Sequence, residues 1–132
     1  TGGGSVLAAL SRDLRSFAEG VGGREQMAIE AFAGAMEVIP RTLAENAGLD
    51  PVNTIIALRK AHSEGKSRYG VNVYDGGVVD MGAGDVYEPT RVVEQAIQSA
   101  SETAVMILRI DDVISSKGGA PEMGGEFDGM DM

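Results

Sequence analysis

Residues 22–50 read GGREQMAIEAFAGAMEVIPRTLAENAGLD. Alanine, methionine and glutamate recur here at helical spacing, so helix is the expected state from Arg24 to Asn46. Pro40 falls inside that span. Proline removes one backbone donor and clashes with the preceding turn, which predicts a kink, or two abutting helices meeting at residues 38–41. Gly48 is the expected stop. Asp50-Pro51 then reopens a helix, with a capping carboxylate followed by proline in the first turn, and this helix is expected to reach about Glu64 before Gly65 closes it.

Upstream, Leu7, Leu10, Leu14, Phe17, Ala18 and Val21 recur at three- and four-residue steps, with Arg12, Asp13, Arg15 and Glu19 between them. The pattern predicts an amphipathic helix over residues 5–21, ended by Gly20, Gly22 and Gly23. Downstream, residues 69–74 and 78–81 are short valine- and tyrosine-containing runs separated by Asp75-Gly76-Gly77, a hairpin signal. Glu88-Pro89 opens a last long helix with an apolar face of Val93, Ala96, Ile97, Ala100, Ala104, Ile107 and Leu108, expected to end near Arg109. Residues 110–114 read as a short strand. From Lys117 the composition collapses to glycine, methionine, proline and acids without a period, so residues 118–132 are expected to be a disordered tail beside an ordered domain at 1–117. The fold class is therefore mainly α, a helical bundle with a small β-hairpin and a C-terminal strand.

The 132 residues are enough for one core, and the formal net charge of −9 argues against a nucleic-acid surface. No cysteine is present, which excludes disulfides, thiolate metal sites and cysteine nucleophiles. Apolar stretches are short and broken by charge, so no membrane span or signal peptide is supported, and a cytoplasmic location is expected. A chain starting Thr1-Gly2-Gly3-Gly4 without methionine is expected to be part of something longer.

No self-contained catalytic set stands out. His62, the sole histidine, reads as a solvated helix residue. Asp111 and Asp112 could suggest a metal pair, but neighbours on a strand point to opposite faces. Met27, Met36, Met81 and Met106 read as core filler. Gly2, Gly3 and Gly4 precede a helix, where backbone amides can approach an anion, although three glycines there also suit a flexible join.

Taken in order, the REQ and IPRTLAENAGLD wording within residues 22–50, YGVNVYDG at 69–76, VYEPTRV at 86–92 and MILRIDDVI at 106–114 closely resemble the thermosome and eukaryotic cytosolic chaperonin family. The DDVI wording and the non-bacterial wording around IPRTLAENAG favour group II. The resemblance implies the C-terminal portion of the equatorial domain of a chaperonin subunit: a double ring that encloses unfolded protein and uses ATP to drive closure. Its partners would be unfolded proteins, neighbouring subunits and the remainder of its own equatorial domain. The 110–114 strand would join a sheet shared with a neighbouring subunit.

In that family this segment forms one wall of the nucleotide pocket. Gly2, Gly3 and Gly4 match the glycine triplet, Asn72 the hairpin asparagine, and Glu88 the acid before proline. Asn72 and Val73 would meet the adenine, Val86 would pack on the base, and Glu88 would accept the ribose hydroxyl protons. The family's GDGTT-like phosphate loop, its metal-binding aspartate and its water-positioning aspartate are not in these residues. ATP or ADP with Mg²⁺ would thus take its phosphate and metal ligands from elsewhere, and this chain alone is expected not to hydrolyse ATP. Two other readings compete: a free-standing helical interaction module with an acidic tail, and an unrelated nucleotide-binding enzyme using the same glycines.

Overall fold

The computed structural model describes residues 1–117, with side chains as far as Ile110. In chain order the elements are α1 (Ser5–Val21), α2 (Gly23–Met36), α3 (Val38–Asn46), α4 (Pro51–Ser63), β1 (Tyr69–Val71), β2 (Val78–Asp80) and α5 (Thr90–Lys117). Thr1–Pro89 makes one compact unit, and α5 belongs to a second. The tail expected at 118–132 lies outside the described residues.

Between α1 and α2 the chain reverses over Gly22 and Gly23, whose φ values of 72° and 66° lie in the left-handed region that side chains disfavour. α2 then packs along α1, with Ala18 and Ala33 fully buried. The buried stripe of α1 is Ser5, Ala8, Ser11 and Ala18, not the leucine face expected from periodicity. Short side chains fit between closely approaching backbones, so they take the innermost position and the longer ones flank it. Leu7, Leu10 and Leu14 are half-buried, and Phe17 is 63% exposed.

The break between α2 and α3 falls at Glu37, one residue before the expected window. Pro40 sits in the first turn of α3, where its missing N–H is not needed. Glu37 itself is buried. Its Oε1 accepts from Ser11 Oγ of α1 at 3.0 Å and from Arg59 Nε of α4 at 3.0 Å, and its Oε2 from the Arg59 Nη2. Arg15 Nη2 stands 3.8 Å away. Burial pushes this carboxyl's pKa up, but the hydrogen bonds from Arg59 and Ser11 and the two guanidinium charges outweigh it and hold it below its usual value. One carboxylate thus ties three helices together.

Both ends of α4 follow from local chemistry. Asp50 Oδ1 accepts from the backbone N–H of Val52 and Asn53 at 2.9 and 3.1 Å, with Pro51 opening the helix as expected. At the far end, Lys66 N donates to Ala61 O and Gly65 N to His62 O, the paired bonds of a Schellman motif. Ile55, Leu58, Ala61 and His62 are buried on the side of α4 that packs on the hairpin strands β1 and β2 (Val78–Asp80). Burying a side chain such as Leu58 contributes about 2 kcal/mol.

Three expectations change. His62 is not solvated: it is 1% exposed, because its face of α4 packs on β1. Among the described methionines only Met81 is core, whereas Met27 is 71% exposed on a face of α2 that no other element covers in this unit. Residues 110–114 are not a strand but continue α5 to Lys117. A strand completes its hydrogen bonds only against a neighbour, whereas a helix closes them within its own chain. The spacing of Ile107, Ile110 and Ile114 suits a helix equally well. Among the described residues no helix is long and apolar enough to cross a membrane.

Candidate functional site

The hairpin pairs antiparallel in the register Tyr69 with Asp80, Gly70 with Val79 and Val71 with Val78. The strands are shorter than the sequence runs because Asn72 leaves the ladder. Its Oδ1 accepts the backbone N–H of Tyr74 and Asp75 at 3.0 and 3.3 Å, while its backbone N–H donates to Gly77 O. The side chain of Asn72 thereby shapes the loop that follows it.

The N-terminal turn inserts beside this hairpin. Gly2 N donates to Val86 O at 2.9 Å, and Gly3 O accepts from Val71 N at 2.8 Å, so residues 2 and 3 bridge β1 to the segment after β2. The approach requires Gly70: a Cβ there would lie 2.8 Å from both Gly2 O and Gly3 O. Gly4 is taken up by packing, since a Cβ on it would meet Pro40 Cβ at 2.8 Å, and its φ of 76° is left-handed besides.

These contacts leave a cleft of about 500 Å³. The hairpin and its loop give Val71, Asn72, Val73, Tyr74, Asp75, Val79 and Asp80; α3 gives Leu43; the turn gives Gly3; and the following segment gives Met81, Gly84, Val86 and Glu88. Val86 is held on both sides, its N–H by Met81 O and its carbonyl by Gly2 N. Asp80 Oδ1 accepts from Gly82 N at 2.9 Å and lies 3.3 Å from Arg68 Nε, so it is committed to the turn after β2. The lining is apolar valine, leucine and methionine with three carboxylates, Asp75, Asp80 and Glu88, and it contains no lysine or arginine. Such a wall suits a flat apolar body carrying hydroxyl donors. It is the wrong sign for phosphate.

Of the residues singled out from sequence, Gly3, Asn72, Val73, Val86 and Glu88 come together on this cleft. Gly2 and Gly4 do not line it; they hold the turn against Val86 and Pro40. Sequence reasoning missed Leu43, Val71, Tyr74, Asp75, Val79, Asp80, Met81 and Gly84. The one available signal was the hairpin itself, whose inward-facing residues follow once its register is known. Among the described residues no three histidine, aspartate or glutamate side chains converge as a metal site.

A family model described as the TCP-1/cpn60 chaperonin family matches residues 1–118. The chain belongs to that family. This chaperonin chain is 55% identical over 131 residues to thermosome subunit alpha of Thermoplasma acidophilum, covering 98% of itself and 24% of that relative. It is 57% identical over 115 residues to thermosome subunit 1 of Haloferax volcanii, covering 87% of itself and 20% of the relative. The solved open-state monomer of a group II chaperonin from Methanococcoides burtonii superposes with a TM-score of 0.80 at 53% identity, over 82% of this chain and 27% of that one. The chain thus spans about a quarter of the relatives it matches. Family membership displaces both the free-standing module and the unrelated enzyme.

Proposed function

We propose that this chain is the C-terminal part of the equatorial domain of a group II chaperonin subunit and forms the base-and-ribose wall of its ATP pocket. The observation that carries the reading is the cleft, where Gly3, Asn72, Val73, Val86 and Glu88 converge on an apolar slot rimmed by carboxylates. Val73 and Val86 would sandwich the adenine. Glu88 would accept the ribose hydroxyl protons, and Gly3, having no side chain, would let the sugar approach the backbone. Gly2 and Gly4 would act by holding that turn in place. ATP or ADP would bring Mg²⁺ with its phosphates; a wall without cations fits phosphate and metal ligands supplied from outside these residues. On that ground the chain by itself binds ATP weakly and does not hydrolyse it.

The complete subunit would work in the cytoplasm within a double ring, enclosing unfolded protein and closing on ATP. Phe17, at 63% exposed, and its half-buried neighbours on α1 would meet the remainder of the equatorial domain. Exchange of Glu88 for alanine in the complete subunit tests the site: losing the acceptor for two ribose hydroxyls in a closed pocket should weaken nucleotide binding by about 1 to 3 kcal/mol. Unchanged affinity in the mutant ring would make the ribose assignment wrong.

A further inference from the structure

His62 is the one buried side chain that joins α4 to the hairpin by a hydrogen bond, and its chemistry can be read in some detail. Its Nε2 lies 2.8 Å from Tyr69 O. A carbonyl oxygen only accepts, so Nε2–H is the donor of this bond. Nδ1 is buried and has no partner. A residue present only to fill space would avoid that orphan, because leucine or phenylalanine packs without one. The unmet nitrogen is tolerated on a ring whose other nitrogen does something needed.

What it does follows from the ladder. Arg68 O accepts from Met81 N, and Asn72 N donates to Gly77 O, both across to the β2 side. Backbone groups alternate along a strand, so those of Tyr69 and Val71 point to the opposite edge of β1. No third strand pairs there among the described residues. That edge is met instead at three points: Tyr69 N by Lys66 O of the turn leading into the strand, Tyr69 O by the His62 side chain, and Val71 N by Gly3 O. β1 is therefore pinned between α4 and the glycine turn immediately before it delivers Asn72 and Val73. His62 is itself anchored, since its carbonyl takes Gly65 N and the guanidinium of Arg12 from α1.

We propose that His62 is a positioning residue for the cleft: its Nε2–H, rather than its bulk, holds β1 where Asn72 and Val73 can meet a bound nucleotide. This rests on the nucleotide reading given above. Glutamine places an amide N–H where Nε2 stands, whereas asparagine is too short to reach Tyr69 O and leucine has no donor. The test compares His62→Gln, His62→Asn and His62→Leu in the complete subunit, by ATP titration and by hydrogen exchange at the Gly70 and Val71 amides. A half-buried carbonyl left unmet predicts about five- to tenfold weaker ATP binding and faster exchange for the asparagine and leucine forms, with glutamine near wild type. The glutamine–asparagine pair decides the matter even if the leucine form does not assemble. Equal affinity for all three and the wild type overturns the proposal, as does asparagine matching glutamine, or exchange that rises while affinity does not. A wild-type subunit that binds no adenine nucleotide removes the nucleotide reading and this proposal together, an outcome distinct from binding that is indifferent to His62.

Discussion

Exchange of Glu37 for alanine should loosen the contact of the α2–α3 junction with α1 and α4 by about 2 to 3 kcal/mol, and exchange for glutamine by about 1 to 2 kcal/mol. The carboxylate is 4% exposed and takes hydrogen bonds from Ser11 and Arg59, with Arg15 3.8 Å away. Breaking a fully buried ion pair by removing one partner costs about 3 to 5 kcal/mol, because the remaining charge is left uncompensated in low dielectric. Here the side chains of Arg59 and Arg15 are 54% and 39% exposed, so water screens what is left and the lower figure applies. Ser11 can also turn its hydroxyl to a carbonyl one turn earlier in α1. Glutamine loses the charge and turns its NH2 toward one of the donors that the second oxygen had met, but it keeps one acceptor oxygen for the others, hence the smaller effect. Native-state hydrogen exchange of the α3 and α4 amides is the assay, since it reads local opening within a large protein, and about 1.4 kcal/mol is a tenfold rate change. Removing Arg59 in the alanine background should add little, because the pair is already broken. The same carboxylate sets a pH response. Its folded pKa lies below the usual 4.5, so its contribution is complete above that pH and is lost as pH falls through the folded value. Alanine at position 37 should flatten the acid dependence of α3 exchange. A change under about 0.5 kcal/mol in both variants would refute the reasoning, for it would mean the network contributes no more than an exposed pair.

Two glycines that look alike should behave differently. Gly70→Ala brings a Cβ within 2.8 Å of Gly2 O and Gly3 O, both backbone, and should cost about 2 kcal/mol or more with loss of nucleotide binding. Gly82→Ala meets the guanidinium of Arg68, a flexible and largely exposed side chain that can move aside, so stability should change by less than about 1 kcal/mol. Comparing exchange and affinity in the two variants checks both. Asp50→Ala should raise exchange in the first turn of α4 by an amount equal to about 1 kcal/mol while leaving nucleotide affinity unchanged, since the cap is exposed and not among the residues lining the cleft.

Much of the local structure was legible in the sequence because its causes are local. The bounds of α1, the helix break forced near Pro40, the Asp50-Pro51 opening and the glycine ends of α3 and α4 depend on residues within a turn of one another. The presence of a hairpin near Asp75-Gly76 was legible for the same reason, as was the family wording that singled out Asn72, Val73, Val86 and Glu88. Contacts between distant residues were not. Periodicity marked the leucines of α1, yet which stripe is innermost depends on how closely α2 approaches, and the alanines and serines took that place. His62 shares a helical face with Ile55 and Leu58, but a polar ring there could equally lie at the edge of that face, and its burial was decided by β1, seven residues further on, which supplies the carbonyl it meets. The glycine triplet looked like a single ligand-facing unit. Only the packing of Val86, Val71 and Pro40 around it separated Gly3, on the cleft, from Gly2 and Gly4 behind it. The 110–114 segment was compatible with either strand or helix by its own pattern. A strand needs a partner that no local sequence can specify, whereas a helix carries its partners within itself.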